Sequence, residues 1–241
     1  MAELGRVITA MATPFDAGGA LDLDGAGILA RWLVEQGNEG LVVAGTTGES
    51  PTLTHTEQLD LIAAVVDAVD VPVIAGAGSN DTAAAIELTE GAARVGAAAT
   101  LHVAGYYNRP SQAGLEAHFR SVAAATDLPV LLYDIPGRTG RKIDTDTILG
   151  LAHHVDTIVG VKDAAGDVAE TAALIARAPE DFVVYSGDDA LNLPLLAVGA
   201  VGCISVASHW CAGELVTMLD LFAAGEVAAA AELNRRLIPS Y

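Results

Sequence analysis

Eight short apolar runs recur along the chain, at residues 6–10, 40–44, 71–75, 100–103, 129–133, 157–162, 182–186 and 202–206, and an amphipathic segment follows each one. This alternation constrains the fold more than any other feature. A strand that passes into a helix before the next strand begins pairs in parallel, through a crossover connection. Eight evenly spaced units of this kind, in 241 residues, favour an α/β (β/α)8 TIM barrel over an open doubly wound sheet. The intervening segments carry the 3.6-residue period: Leu59, Ile62, Ala63 and Val66 fall on one face, as do Leu115, Phe119 and Val122, and then Leu215, Met218, Leu219 and Phe222. Thr54 and Glu57 have capping-box spacing, and Asp144, Asp167 and Asp189 stand near other expected helix starts, where a carboxylate favours the positive end of the helix. No Pro/Ser-rich linker interrupts the pattern. The expected organisation is therefore one barrel domain over residues 1–225, with a last helix from 226 to 237 opening a C-terminal segment over 226–241.

Composition narrows the function classes. The 52% hydrophobic content supplies a core without disulfides, and Cys203 and Cys211 are too few and too far from histidine pairs to suggest a disulfide framework or a metal site. A formal net charge of −19 makes nucleic acid and anionic membrane poor partners. No run of about 18 apolar residues is free of charges or turn signals, and the start, Met1 to Arg6, lacks the basic-then-apolar layout of a leader. The reduced cytoplasm is the expected compartment. An anionic substrate of so acidic a chain needs local positive groups, so each arginine near a strand end deserves scrutiny.

Only two lysines occur, Lys142 and Lys162. Lys142 lies in a polar segment and reads as a surface residue. Lys162 ends the apolar run Ile158-Val159-Gly160-Val161, where an ammonium is costly to bury. Burial makes the neutral amine available, which is how Schiff-base lysines are made. The competing reading is a strand-end lysine that reaches solvent or pairs with Asp163.

The other strand ends are loaded too. Gly45-Thr46-Thr47-Gly48-Glu49-Ser50 follows the second run; glycines flanking two hydroxyls let N–H groups converge on a carboxylate, or simply make a tight turn before a helix cap. There is no phosphate-binding glycine pattern. Tyr106 and Tyr107 follow the fourth run, as proton donors or, more simply, as rim or interface residues. Tyr133 ends the fifth run one unit from Lys162: a phenol beside an amine makes a proton shuttle, and the alternative is a core tyrosine with a satisfied hydroxyl. Arg138, on the loop after it, suits a bidentate carboxylate clamp or an ordinary surface ion pair. Ser186-Gly187-Asp188-Asp189 reads as a turn and cap, and Gly202 as a point of close approach. The six histidines form no metal-like cluster.

Taken together, Gly45 to Ser50, Tyr106-Tyr107-Asn108-Arg109-Pro110, Tyr133 to Thr139, Gly160-Val161-Lys162-Asp163, Ser186 to Ala190 and Gly202 to Ser205 resemble, in order and over nearly the whole chain, the class I pyruvate aldolases, and most closely the dihydrodipicolinate synthase family of lysine biosynthesis. The resemblance implies a Schiff base between Lys162 and pyruvate, with Tyr133 shuttling protons. It implies that Thr46 and Tyr107 extend a relay, Tyr107 reaching in from a neighbouring subunit of a homo-oligomer, a tetramer or a dimer. Thr47 would hold the pyruvate carboxylate, the backbone at Gly187 and Ile204 would shape the pocket, and Arg138 would bind aspartate semialdehyde. No metal, nucleotide or other cofactor is implied. Sister aldolases acting on N-acetylneuraminate or keto-deoxy sugar acids share the lysine and tyrosine, but Arg138 and the paired threonines favour the synthase.

The sequence departs from the family pattern in three places. Gly105 stands where the family has proline. Gln58 and Ala84 stand where lysine-inhibited members carry a histidine and a glutamate near His55, Asn80 and Tyr106, which implies weak or absent feedback by lysine. The helical extension after the barrel is shorter than the family's, so a truncated, inactive scaffold that binds small keto acids or partner subunits is the reading of a different class.

Overall fold

A computed structural model describes residues 4–241; the first three residues, on which part of the leader reading rests, lie outside it. In chain order the elements are β1 (Val7–Ala10), α1 (Leu23–Glu35), β2 (Gly40–Val43), α2 (His55–Val66), β3 (Val73–Gly76), α3 (Thr82–Arg94), β4 (Ala99–Val103), α4 (Gln112–Ala123), β5 (Val130–Asp134), α5 (Pro136–Thr139), α6 (Thr145–His154), β6 (Ile158–Asp163), α7 (Val168–Ile175), β7 (Val183–Ser186), α8 (Asn192–Ala197), β8 (Gly202–Ser205), α9 (Ser208–Ala223) and α10 (Val227–Leu237). The strands form a closed parallel barrel in sequence order, sealed where Val7, Ile8 and Thr9 of β1 pair with Cys203, Ile204 and Ser205 of β8. All eight expected strands are present, with ends displaced by one or two residues.

Successive residues of a strand face opposite sides, so each strand supplies two cores. Ile8, Val42, Ile74, Leu101, Leu131, Tyr185 and Ile204 fill the barrel interior. The alternate residues meet the helices: Leu132, Val161 and Val184 pack with Leu115, Phe119 and Leu174, and Leu41, Val43 and Ala75 pack with Leu33, Leu61 and Val65. Phe119 is wholly buried, and truncating a ring in such a place costs about 3–5 kcal/mol.

One local expectation is corrected. The inward face of α2 is Gln58, Leu61, Ile62 and Val65, one residue away from the expected stripe. A helix in this layer touches its neighbours as well as the barrel: Leu59 abuts Gly91 of α3, so its flank is also apolar. The Thr54–Glu57 capping box is present, and Asp167 caps α7. Asp189 does not cap a helix of its own. Its carboxylate accepts the N–H groups of Val206 and Ala207 at 3.1 and 2.9 Å, tying the strand-7 turn to the start of α9. The chain ends with α10 packed on α9, where Ala230 and Leu237 are buried. No helix among the described residues is long and apolar enough to cross a membrane.

Candidate active site

Parallel closure brings the carboxyl ends of all eight strands to one mouth. There a cavity of about 50 Å³ is lined by Thr46, Thr47 and Ser50 on one side, Tyr133 and Lys162 on the other, and Leu101 and Val103 between them. Tyr133 and Lys162 are register partners across β5 and β6, so their side chains leave the sheet together. The Lys162 Nζ lies 4.3 Å from the centre of the Tyr133 ring.

Lys162 is buried, and among the described residues its ammonium has no hydrogen-bond or carboxylate partner. The alternative pairing with Asp163 does not occur: that carboxylate accepts from the Ala165 N–H and the Thr171 hydroxyl on the outer side of the strand. Burial lowers the Lys162 pKa to about 8, with Asp189 and then Cys203 pulling the other way. Cys203 carries no charge at neutral pH, because burial pushes its own pKa upward. Burial also pushes the Tyr133 phenol up to about 12, against a smaller pull down by Arg138. Among the described residues the Tyr133 hydroxyl bonds no protein group, so it is not a satisfied core tyrosine.

Facing this pair, residues 45–50 make a turn closed by Glu49 N–H to Thr46 O at 3.1 Å and Ser50 N–H to Gly45 O at 3.3 Å. The tight-turn reading holds, and among the described residues the same turn leaves the N–H groups of Thr46, Thr47 and Gly48 without a protein acceptor. Unpaired N–H donors on neighbouring residues are the kind of group that an anion can use. The turn is entered and left through left-handed backbone at Ala44 (φ 56°) and Glu49 (φ 57°), an uncommon and costly posture outside glycine. Gly76 is needed beside it: a Cβ there would lie 2.5 Å from the Ala44 carbonyl oxygen.

Gly187 touches the lysine directly, since a Cβ on it would meet Lys162 Cε and Cγ at 2.9 Å. Ile204 is buried in the barrel interior below the mouth. Arg138 and Tyr107 do not line the cavity. Arg138 is exposed on α5, a four-residue helix that sequence periodicity is too coarse to reveal. Tyr107 is 92% exposed with φ 69°, on a loop hung from the Arg138 segment by its N–H to Thr139 O at 3.2 Å. Thr46, Tyr133 and Tyr107 make no hydrogen bonds with one another in this chain.

Ser50 was not expected in the cavity, although its place at the end of the threonine turn could have indicated it. The larger surprise is Lys142. It is only partly exposed, and its Nζ reaches the buried Asp134 carboxylate at 3.1 Å and Glu170 at 3.4 Å.

Fold and site together define a class: (β/α)8 barrels with a desolvated lysine at the mouth, beside a phenol and opposite a threonine-bearing turn. Within it, residues 3–240 match the Dihydrodipicolinate synthetase family, and the chain belongs to that family. A 4-hydroxy-tetrahydrodipicolinate synthase of Moorella thermoacetica is 53% identical over 241 residues, covering 99% of this chain and 82% of the relative. Among solved structures, a dihydrodipicolinate synthase of Bacillus anthracis superposes with a TM-score of 0.96 at 48% identity, covering 99% of this chain and 82% of its own. The Acinetobacter baumannii dihydrodipicolinate synthase, complexed with pyruvate, superposes with a TM-score of 0.92 at 38% identity, covering 97% and 81%.

Proposed function

We propose that this chain condenses pyruvate with L-aspartate 4-semialdehyde through a Schiff base on Lys162, giving 4-hydroxy-tetrahydrodipicolinate for lysine (diaminopimelate) biosynthesis in the cytoplasm. One observation carries the reading: a buried amine with no hydrogen-bond or carboxylate partner among the described residues stands over Tyr133, in a cavity whose opposite wall is the Thr46-Thr47 turn. A 2-keto acid spans that gap, with its carboxylate at Thr47 and the N–H groups beside it and its ketone carbon at the lysine.

The neutral amine adds to the ketone carbon, and the carbinolamine loses water to give the imine. Tyr133 delivers and recovers the protons, with Thr46 and a neighbouring subunit's tyrosine at position 107 extending the path to solvent. Loss of a methyl proton gives an enamine, whose carbon attacks the aldehyde of the second substrate while Arg138 holds that substrate's carboxylate in a fork. The substrate's amino group then attacks the imine carbon and displaces Lys162, which closes the ring and frees the enzyme. In this reading the backbone at Gly187 and Ile204 shapes the pocket from behind Lys162 and does not line the cavity directly. The outward, left-handed posture of Tyr107 supports a homo-oligomer in which this residue serves a neighbour.

Borohydride reduction in the presence of pyruvate is expected to leave a mass adduct on Lys162. A folded chain that forms no adduct would overturn the aldolase reading and leave the non-catalytic scaffold. With the adduct in hand, turnover with aspartate semialdehyde and not with sugar aldehydes separates the synthase from its sister aldolases. Added lysine is expected to leave the rate nearly unchanged, because the Gln58 amide is spent on the Ser50 and Leu53 carbonyls at 2.9 and 3.3 Å.

A further inference from the structure

Behind β5 and β6, on the side facing away from the cavity, two carboxylates meet one ammonium, with a third close by. Asp134 is nearly fully buried. It accepts the Ile143 N–H at 3.0 Å through one oxygen and Lys142 Nζ at 3.1 Å through the other. Lys142 also pairs with Glu170 of α7 at 3.4 Å, and Glu170 accepts the Thr145 hydroxyl at 2.8 Å. Asp163, the next strand's counterpart of Asp134, takes the Thr171 hydroxyl at 2.5 Å. From the other flank, Gln112 of α4 donates to the Lys142 carbonyl at 2.9 Å and accepts the Asp144 N–H at 3.1 Å.

Together these bonds close the base of one loop. The chain leaves β5 at Asp134, runs through α5 with Arg138, and returns at Lys142 and Ile143, so the Asp134 carboxylate ties the departing end to the returning one. Among the described residues the hydrogen bonds of the tip are its own short-range ones, such as Arg138 N–H to Ile135 O at 2.9 Å, and the one from Tyr107 N–H to Thr139 O. Arg138 is exposed and has no carboxylate partner among the described residues. Its direction is therefore set by where the loop's two ends are pinned. Tyr133, by contrast, is fixed by strand pairing on both sides and does not depend on the loop.

We propose that Lys142, acting through Asp134, is a positioning residue for Arg138: the ion pair clasps the loop at its base and so sets the affinity for the second, carboxylate-bearing aldehyde without acting on imine formation. This rests on the reading of the site as a pyruvate aldolase in which Arg138 receives that substrate.

Three variants test it. Lys142→Met keeps the stem and removes the charge; it is expected to raise KM for aspartate semialdehyde about tenfold, while KM for pyruvate and the yield of borohydride-trapped adduct stay within about twofold. Lys142→Arg, which can still reach Asp134, is expected to restore most of the loss. In an Arg138→Ala background the Lys142→Met change is expected to add little, because coupled residues are not additive. A Lys142→Met effect that falls equally on both substrates, that Arg fails to rescue, or that persists undiminished without Arg138 would overturn the proposal. Amide hydrogen exchange separates its failure from that of the underlying reading. Faster exchange over residues 135–143 in Lys142→Met is expected whether or not the protein turns over, and unchanged exchange there would overturn the clasp itself. A wild-type chain that forms no pyruvate adduct would overturn the aldolase reading, and with it the substrate role of the clasp.

Discussion

At the scale of single residues, the chain's chemistry rests on keeping one amine uncharged. A lysine at its ordinary pKa leaves about one amine in 3000 neutral at pH 7, whereas a pKa of about 8 leaves about one in ten. That gain of some two to three orders of magnitude comes from burial, and among the described residues Asp189 is the carboxylate that acts against it. The sign is then fixed. The folded chain gives up the Lys162 proton near pH 8 and the unfolded chain near 10.5, so folding stability rises with pH through that window, and below it the buried ammonium is a standing cost. The rate of imine formation with pyruvate should follow the free amine, climbing nearly tenfold per pH unit below about 8 and levelling above it. Single-turnover trapping across pH 6 to 11 measures this, and an inflection near 10 would mean that the amine is solvated after all.

At the scale of elements, the strand ends carry the site and a glycine decides whether they fit. β6 delivers Lys162 and β7 delivers Gly187 beside it, with a hydrogen-sized gap where any other residue would place a methyl group 2.9 Å from two lysine carbons. Gly187→Ala should displace the lysine from Tyr133 and slow pyruvate trapping at least tenfold. The methyl presses mainly on the Lys162 side chain, with the Ala164 Cβ at 3.1 Å and no backbone atom among its nearest neighbours, so the thermal midpoint should fall by only a few degrees. A midpoint collapse matching the loss of trapping would show that Gly187 serves the fold and not the pocket. This arrangement also explains what could be read from the sequence. The eight strands were legible because each is a short apolar run bounded by turn residues, and Lys162, Tyr133, Thr46 and Thr47 because each interrupts or ends such a run. The inward face of α2 was one residue off because a barrel helix is apolar on its flanks as well as underneath. The four-residue α5 is shorter than the window over which a helical period can be seen. Lys142 read as a surface residue because its partners, Asp134 and Glu170, come from 8 residues before and 28 after it, and no local pattern records that the chain returns there.

At the scale of the whole molecule, the site's few positive groups work against a large negative background. The formal charge of −19 comes from 31 acidic against 12 basic residues, so most carboxylates have no cation to pair with. The ion pairs that do form are mostly exposed: Arg177–Asp146, Arg94–Glu90 and Arg235–Glu232 each join two side chains that are more than half exposed. Pairs of this kind are worth about 0–1 kcal/mol each, and salt weakens them. Salt weakens the mutual repulsion of the unpaired carboxylates as well. At about 10 mM salt the screening length is roughly 30 Å, so every surface acid feels most of the others; at about 0.5 M it falls to roughly 4 Å, and only immediate neighbours interact. Repulsion among 19 excess charges, confined to the folded surface and relaxed in the unfolded chain, outweighs a handful of weak exposed attractions. Lys142–Asp134 is the exception among the pairs, since Asp134 is almost fully buried and salt screens it far less. Raising sodium chloride from about 10 mM to about 0.5 M should therefore raise the thermal midpoint by several degrees. Calorimetric scans at fixed pH 7 measure this, with potassium chloride as a control for ion-specific binding. A midpoint that falls with salt would mean that the paired charges, not the excess ones, dominate the electrostatics of the fold.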